Sequence, residues 1–536
     1  MKYTLPLLVF IVILGASLRL FMIEAIPPSL NWDEASLGYN AFGIAEEGID
    51  EHGEYLPLAR FIAFGDYKPP GYIYVDSLFI KLFGLNTFWI RFPSALSGIG
   101  MIVLTYALAK ILFGSRKAAL FASLAIAISP WSIQLSRAAI EANLAAFFNC
   151  LGVYSFILGL KKTKFFFVLS AIFFILSFYT FNANKIIGPV LFVSLCMVFF
   201  DQVWKAWKYI LLAIFFAFLM LLPSISYLRS PESKLRFQEV SIFNELSIIE
   251  KSNQRIALEN YSLWSKAFHN RRILFTKEFL KHFSDHFNPR YLFFTGDRNP
   301  RLSIQSVGEL YLYELPLVLI GLYCLVKRRK KPLILVIIWI VVAIIPAATA
   351  RETPHALRTA SVLPTYQLII GYGACSLVKY LKQYKRFINL KLFFWMAIFT
   401  ASIYYYLHYY YLHYSKQWAS EWQDGYKEMV QLVDTIEPNY DSVVITKYRG
   451  RPYIYFLLYN KIKPSQYLSI RKAYKDAWGV WDVQGIGKYY FGVEYKDKVP
   501  GKVLFVGSKN ETDPRDKVVG TIYSSSGGEA FVLTQR

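Results

Sequence analysis

The sequence predicts a multispan α-helical membrane protein, with about eleven transmembrane helices and a C-terminal α/β domain outside the bilayer. Three observations predict it. The 536 residues are 55% hydrophobic and 18% aromatic, with a mean hydropathy of +0.33. The apolar residues fall in blocks of about 17–25, the length that carries a helix across a hydrocarbon core. Charged residues make up only 18% and gather mostly between the blocks, and from about residue 415 the long apolar blocks give way to shorter runs.

The first block, Leu5 to Met22, follows Lys2 and has the look of a signal peptide. It lacks a convincing small-x-small cleavage site and carries Arg19 near its far end, so it reads as a true span. Later spans are predicted near 88–113, 117–133, 141–160, 165–181, 186–200, 209–227, 309–326, 332–349, 359–378 and 392–411. With the N-terminus inside, every short basic loop falls on the cytoplasmic side: Arg116-Lys117, Lys161-Lys162 with Lys164, Lys205 and Lys208, Lys327 to Lys331, and Lys379, Lys382, Lys385 and Arg386. The opposite, extracytoplasmic face of the cell membrane then holds the loops 24–87 and 228–308, the stretches 133–140 and 350–358, and everything from 415. The predicted division is a membrane domain 1–414 and a soluble domain 415–536.

The soluble domain opens with an amphipathic helix carrying Trp422, Tyr426, Met429, Val430 and Val433 on one face. Strand-like runs follow at Val443 to Thr446, Tyr453 to Tyr459, Lys502 to Val506 and Ala530 to Thr534, separated by turn-forming residues. The net charge of +22 is the kind of excess that can mean nucleic acid. Here much of it sits in short loops between spans, where the positive-inside bias and anionic membrane lipid account for it, so no nucleic-acid partner is expected. Cys150, Cys196, Cys324 and Cys375 all lie inside apolar segments without metal-like spacing, which argues against a disulfide or a thiol nucleophile.

The polar residues that could carry chemistry lie on the predicted outer side. Asn31-Trp32-Asp33-Glu34 sets two acids beside an aromatic just after the first span, suited to a base that accepts a proton from a hydroxyl. The blander reading is that both acids start a helix over 35–47, where carboxylates favour the positive end of the dipole. In Gly65-Asp66-Tyr67-Lys68-Pro69-Pro70-Gly71-Tyr72 two prolines hold Lys68 on a fixed backbone, useful for gripping phosphate; the alternative is a lysine snorkelling to headgroups. In Ser136-Arg137-Ala138-Ala139-Ile140-Glu141, Glu141 sits at the membrane edge, with an intrahelical pair to Arg137 as the competing explanation. Lys185, His355, Arg358 and the loop Gly296 to Arg301 place further cations on the outer side, where each needs an anionic partner such as phosphate or a lipid headgroup. His282 and His286 are four apart on a loop helix, a spacing that can bind metal but is more often incidental. Nucleotide-type glycine loops are absent from the sequence, which argues against a nucleotide-fed reaction.

The order of these pieces resembles the membrane glycosyltransferases of family 39, the protein O-mannosyltransferase and aminoarabinose-transferase group with the GT-C fold. The residues that carry the resemblance are Asp33-Glu34 after the first span, Lys68-Pro69-Pro70 with Tyr72, and Arg91-Phe92-Pro93 opening the second span. Ser129-Pro130-Trp131, Ser136-Arg137 with Glu141, and Asp297-Arg298-Asn299-Pro300 continue it. The resemblance implies inverting transfer of one sugar from a polyprenyl-phosphate carrier to a lipid, glycan or protein hydroxyl at the outer face of the cytoplasmic membrane. On that reading Asp33 is the base, with Glu34 or Glu141 positioning the acceptor or a cation, and Lys68, Lys185 and Arg358 balance the departing phosphate. Tyr72, Arg137 and His355 are carried over as substrate-binding residues. The resemblance fixes no cofactor: the sequence offers no clear extra carboxylate cluster for a divalent cation, yet some GT-C relatives use one and others do not, so metal dependence stays open.

Three rivals remain at this point: a lipid-linked sugar flippase, an oligosaccharide transferase or polysaccharide ligase of GT-C type, and a non-catalytic membrane scaffold. Transporters usually place polar groups near the bilayer midplane in repeated halves, whereas these charges gather at one face without a repeat. That favours the enzyme.

Overall fold

A computed structural model describes residues 3–383, 388–475 and 481–536. Helices stand at every place where an apolar block predicts a span: Thr4–Leu20, Thr87–Phe113, Arg116–Ile128 continued by Pro130–Ser136, Glu141–Lys161, Phe166–Phe178, Asn184–Val198, Trp207–Leu221, Glu314–Arg328, Lys330–Ala348, Thr365–Gln383 and Ile388–Tyr409. Among the described residues, five helical stretches are long and apolar enough to cross a membrane, or six when Arg116–Ile128 and Pro130–Ser136 count as one span bent by 54°. The bend falls where Pro130 removes a helical donor. Lys385 and Arg386 of the last basic loop lie outside the described residues.

The chain forms two compact units. The first comprises residues 1–16, 97–134 and 142–403 and is almost wholly helical. Its helices approach closely through small residues. A methyl on Gly373 would lie 2.0 Å from the Leu317 carbonyl, and one on Gly371 would lie 2.5 Å from the Ala122 nitrogen. Polar side chains stitch the same interior: Asn149 donates to Ser361 (3.0 Å), Ser361 to Asn184 (3.0 Å) and Asn184 to Ser177 (2.6 Å). Small residues and hydrogen-bonding side chains are what hold helices together where lipid removes the hydrophobic drive. The segment 228–308, between two predicted spans, is itself structured. It runs through helices Glu232–Val240, Leu246–Leu258, Leu263–Phe268 and Arg271–Asp285.

The second unit comprises residues 17–96, 135–141 and 404–536. It holds the helix Trp32–Glu46, then a hairpin of β1 (Phe61–Ala63) and β2 (Asp66–Lys68), then the helix Gly71–Phe83. The hairpin turns on Phe64 and Gly65, both at positive φ (56° and 81°), the geometry a two-residue turn needs to match strand twist. Seven further strands form one sheet: β3 (Ser442–Ile445), β4 (Arg471–Lys475), β5 (Trp481–Ile486), β6 (Tyr489–Phe491), β7 (Val503–Gly507), β8 (Lys517–Tyr523) and β9 (Glu529–Gln535). Their order is β4-β5-β6-β3-β7-β9-β8, with β3 parallel to both neighbours and the other pairs antiparallel. β3 is buried along its whole length, as a central parallel strand should be.

Two readings of this unit need correction. Tyr453 to Tyr459 is a helix, Pro452–Tyr459, not a strand. Nearly every residue in it is buried, so it shows no polar face and no period, and Pro452 in its first turn is the one helical cue. Trp422 does not share the amphipathic helix, which runs from Tyr426 to Ile436. It ends the preceding turn Ala419–Trp422.

Candidate active site

In the second unit, the site grows from the start of one helix. Asn31 caps Trp32–Glu46, its side-chain oxygen accepting from the Asp33 and Glu34 amides (2.9 and 3.1 Å), while Glu34 reaches back to the Asn31 amide (3.1 Å). This reciprocal box begins the helix three residues earlier than the sequence suggested and sends the two neighbouring acids in different directions. Glu34 is 1% exposed. Its oxygens take Arg91 Nε (2.9 Å), Arg91 Nη2 (3.1 Å) and the Ala139 amide (2.8 Å) besides the cap. Arg91 itself is buried and gives its remaining hydrogens to the carbonyls of Ile23, Pro27 and Ser29. Such a fork-to-carboxylate pair with every donor used is the arrangement that makes a buried ion pair tolerable.

Asp33 has a different setting. Its side chain is 47% exposed, and one oxygen accepts from Lys68 Nζ at 2.7 Å. Lys68 ends β2, so hairpin and prolines together fix its backbone, and its side chain is only 9% exposed. Burial pulls its pKa down, but the carboxylates of Asp33, Glu141 and Asp66 more than offset this and hold the ammonium above its usual value. Asp33, Asp66, Lys68 and half-buried Glu141 therefore act on one another within this unit.

Arg137 and Tyr72 are turned to the frame. Arg137 donates to the Tyr410 hydroxyl (3.0 Å) and to the carbonyls of Leu18 (2.9 Å) and Ile26 (2.8 Å), and lies over the Tyr410 and Tyr411 rings. The suggested intrahelical pair with Glu141 has no helix to form on, because the helix starts at Glu141 and residues 137–140 are not helical. Tyr72 is buried and donates to the Ile90 carbonyl at 2.9 Å.

The C-terminal residues of the same unit brace this helix. Trp32 lies so tightly on Gly450 that a methyl there would sit 2.4 Å from the indole, and Gly450 has φ +115°. The Tyr455 hydroxyl donates to the Leu30 carbonyl (3.0 Å), and that of Tyr453 to Glu51 (3.0 Å).

The first unit carries a second polar cluster. Asp297, 3% exposed, accepts from the Asn299 amide (2.8 Å) and the Ala356 amide (2.6 Å), with His355 Nδ1 at 3.6 Å. Burial pushes its carboxyl up to about 6, against those amides and the Arg358 charge. The preceding turn uses Gly296 at φ +71°, where a methyl would meet Ser303 at 2.7 Å. The His355 amide donates to His286 Nε2 (3.3 Å), and burial lowers the His286 pKa to about 4, so that imidazole stays neutral. His282 faces the Ala350 carbonyl and Glu278. Arg358 donates to the Glu352 carbonyl (3.2 Å), and Lys185 lies over the Tyr227 ring (5.1 Å). Among the described residues, no group of three His, Cys, Asp or Glu side chains is gathered as a metal site.

The structure thus brings Asp33, Glu34, Lys68, Tyr72, Arg137 and Glu141 into one unit and Lys185, His355 and Arg358 into the other. Sequence reasoning gave no role to Arg91 or Asp297. Arg91 lies 57 residues from Glu34, a pairing no local pattern announces. Asp297 was visible as part of a loop motif, followed by Asn299 at the two-residue step typical of a capping acid.

Residues 67–227 match the family described as dolichyl-phosphate-mannose-protein mannosyltransferase. YycA of Bacillus subtilis (strain 168), provisionally named a mannosyltransferase, is 31% identical over 104 residues, 19% of this chain and 15% of its own length. The match therefore spans about a sixth of that relative. ArnT from Cupriavidus metallidurans shares the fold almost end to end. Its apo structure gives a TM-score of 0.55 at 13% identity, covering 99% of this chain and 97% of ArnT. The structure bound to undecaprenyl phosphate gives 0.54 at 12% identity, covering 100% and 97%. The chain thus shares the fold of ArnT over its whole length, and its residues 67–227 match that mannosyltransferase family.

Proposed function

We propose that the protein is an inverting glycosyltransferase that moves a single sugar from a polyprenyl-phosphate carrier to an acceptor hydroxyl on a lipid, glycan or protein. Its site and C-terminal domain face outward from the cytoplasmic membrane. One observation carries the reading: of two adjacent acids, Glu34 is wholly engaged by Arg91 and backbone amides, while Asp33 stays half exposed beside a charged, buried Lys68. The undecaprenyl phosphate bound to ArnT supports the donor class.

Asp33 takes the acceptor proton as the hydroxyl oxygen bonds to the anomeric carbon, and the bond from that carbon to the phosphate oxygen breaks on the opposite face. The leaving group departs as polyprenyl phosphate, already stable as an anion, so no acid has to protonate it. Lys68 orients Asp33 and offers positive charge to the growing phosphate charge. Glu141 positions the acceptor. Glu34, Arg137 and Tyr72 act as positioning residues.

The test uses the full chain in detergent with a panel of polyprenyl-phosphate sugars, reading released polyprenyl phosphate. Asp33→Asn is expected to lower turnover by about 10²–10⁴-fold with donor binding retained. Lys68→Ala is expected to weaken donor binding. Wild-type turnover in both variants would remove the site, and loss of activity on chelation would add a divalent cation to it.

A further inference from the structure

Away from every residue assigned above, the helices Leu246–Leu258 and Arg271–Asp285 of the first unit line a half-open cleft of ≈ 530 Å³. That volume falls in the range of about 300–1,000 Å³ typical of small-ligand sites. Ile248, Lys251 and Arg255 recur at steps of three and four, which puts them on one face of the first helix. Leu274, Lys277 and Lys281 do the same on the second. Ser252 donates to the His269 carbonyl at 2.6 Å, fastening the first helix to the turn that leads into the second.

The charges lining this cleft do not balance. Its two acids are already engaged: Glu245 with Arg351 (3.0 Å), and Glu278 with Lys281 (2.9 Å) and His282 (3.1 Å). Lys251, Arg255 and Lys277 have no acidic partner among the described residues. Lys251 with Arg255, and Lys277 with Lys281, are like charges four apart, an arrangement that weakens a helix. An ordinary solvated face alternates signs at that spacing. Here two unfavourable pairs, one on each helix, line the same cleft.

We propose that this cleft binds a phosphoryl-bearing anion of two or more negative charges, with Lys251, Arg255 and Lys277 as its ligands. Three cations from two helices along one cleft suit a phosphate or diphosphate, whose oxygens accept several charge-assisted hydrogen bonds at once. The same chemistry is offered by a soluble phosphate and by an anionic lipid headgroup. The site uses none of the residues of the proposed transfer reaction, so either reading can fail alone.

The experiment uses the full chain in neutral detergent. Inorganic diphosphate is titrated by calorimetry, and bound phosphatidic acid is counted by native mass spectrometry against phosphatidylcholine. In Lys251→Gln/Arg255→Gln/Lys277→Gln, affinity for the bound species is expected to fall at least tenfold, while Lys251→Arg/Lys277→Arg keeps it. Loss confined to diphosphate assigns a soluble ligand, and loss of phosphatidic-acid adducts assigns a headgroup. Equal binding by the wild type and the triple glutamine variant, or no binding of either species by the wild type, overturns the proposal.

Discussion

Glu34 and Asp297 are both acids buried beside a backbone turn, and they are held in opposite ways. Glu34 faces a guanidinium that shares two hydrogen bonds with it, whereas Asp297 is met by two backbone amides and a histidine. Amides satisfy lone pairs without supplying a full charge, so burial prevails at Asp297 and lifts its carboxyl to about 6. Partner chemistry thus gives two buried acids different parts: Glu34 ties Arg91 into the frame, and Asp297 can take up a proton near neutrality.

The largest effect should come from breaking the strut. Glu34→Gln strands the buried Arg91 charge and is expected to destabilise the protein by about 3–5 kcal/mol, read as apparent Tm in detergent. Adding Arg91→Met should recover part of the loss; no recovery would mean that the pair is not the unit that matters. Asp297 gives the next effect, and it depends on pH. Its folded pKa lies above the unfolded value of 3.8, so the folded state holds the proton more tightly. That contribution is fully present below about 3.8 and is lost as pH rises through about 6, a change of about 3 kcal/mol. Asp297→Asn should flatten this part of the stability profile between pH 4 and 6, and identical profiles would contradict the raised carboxyl. Gly296→Ala forces a side chain into a left-handed backbone against Ser303, at a cost of about 1–3 kcal/mol. Asp33→Asn, one residue from Glu34 but half exposed, should change stability by less than about 1 kcal/mol.

The sequence reading succeeded where structure is written locally. Apolar runs located the helices, and β-branched runs located β3, β7 and β9. It failed where a segment is buried on all sides, as at Pro452–Tyr459, since periodicity reports only the contrast between faces. The helix expected around His282 stands as Arg271–Asp285. Within the site, Asp33, Lys68 and Glu141 stood out as charges near apolar blocks. The Glu34–Arg91 pair did not, because its geometry depends on a chain reversal that neither residue encodes. The intrahelical Arg137–Glu141 pair, the rival explanation for these two charges, assumes a continuous helix, and the non-helical residues 137–140 remove that spacing.

The indole of Trp32 resting on Gly450 gives the C-terminal region a mechanical part in the chemistry proposed for its neighbour Asp33. A chain severed near residue 414 would lose the wedge behind that acid together with the tyrosines that clamp Leu30 and Glu51. Proteolytic nicking there should therefore slow the reaction without touching a single group that meets the sugar, and exchanging this region between relatives would retune the acid from behind.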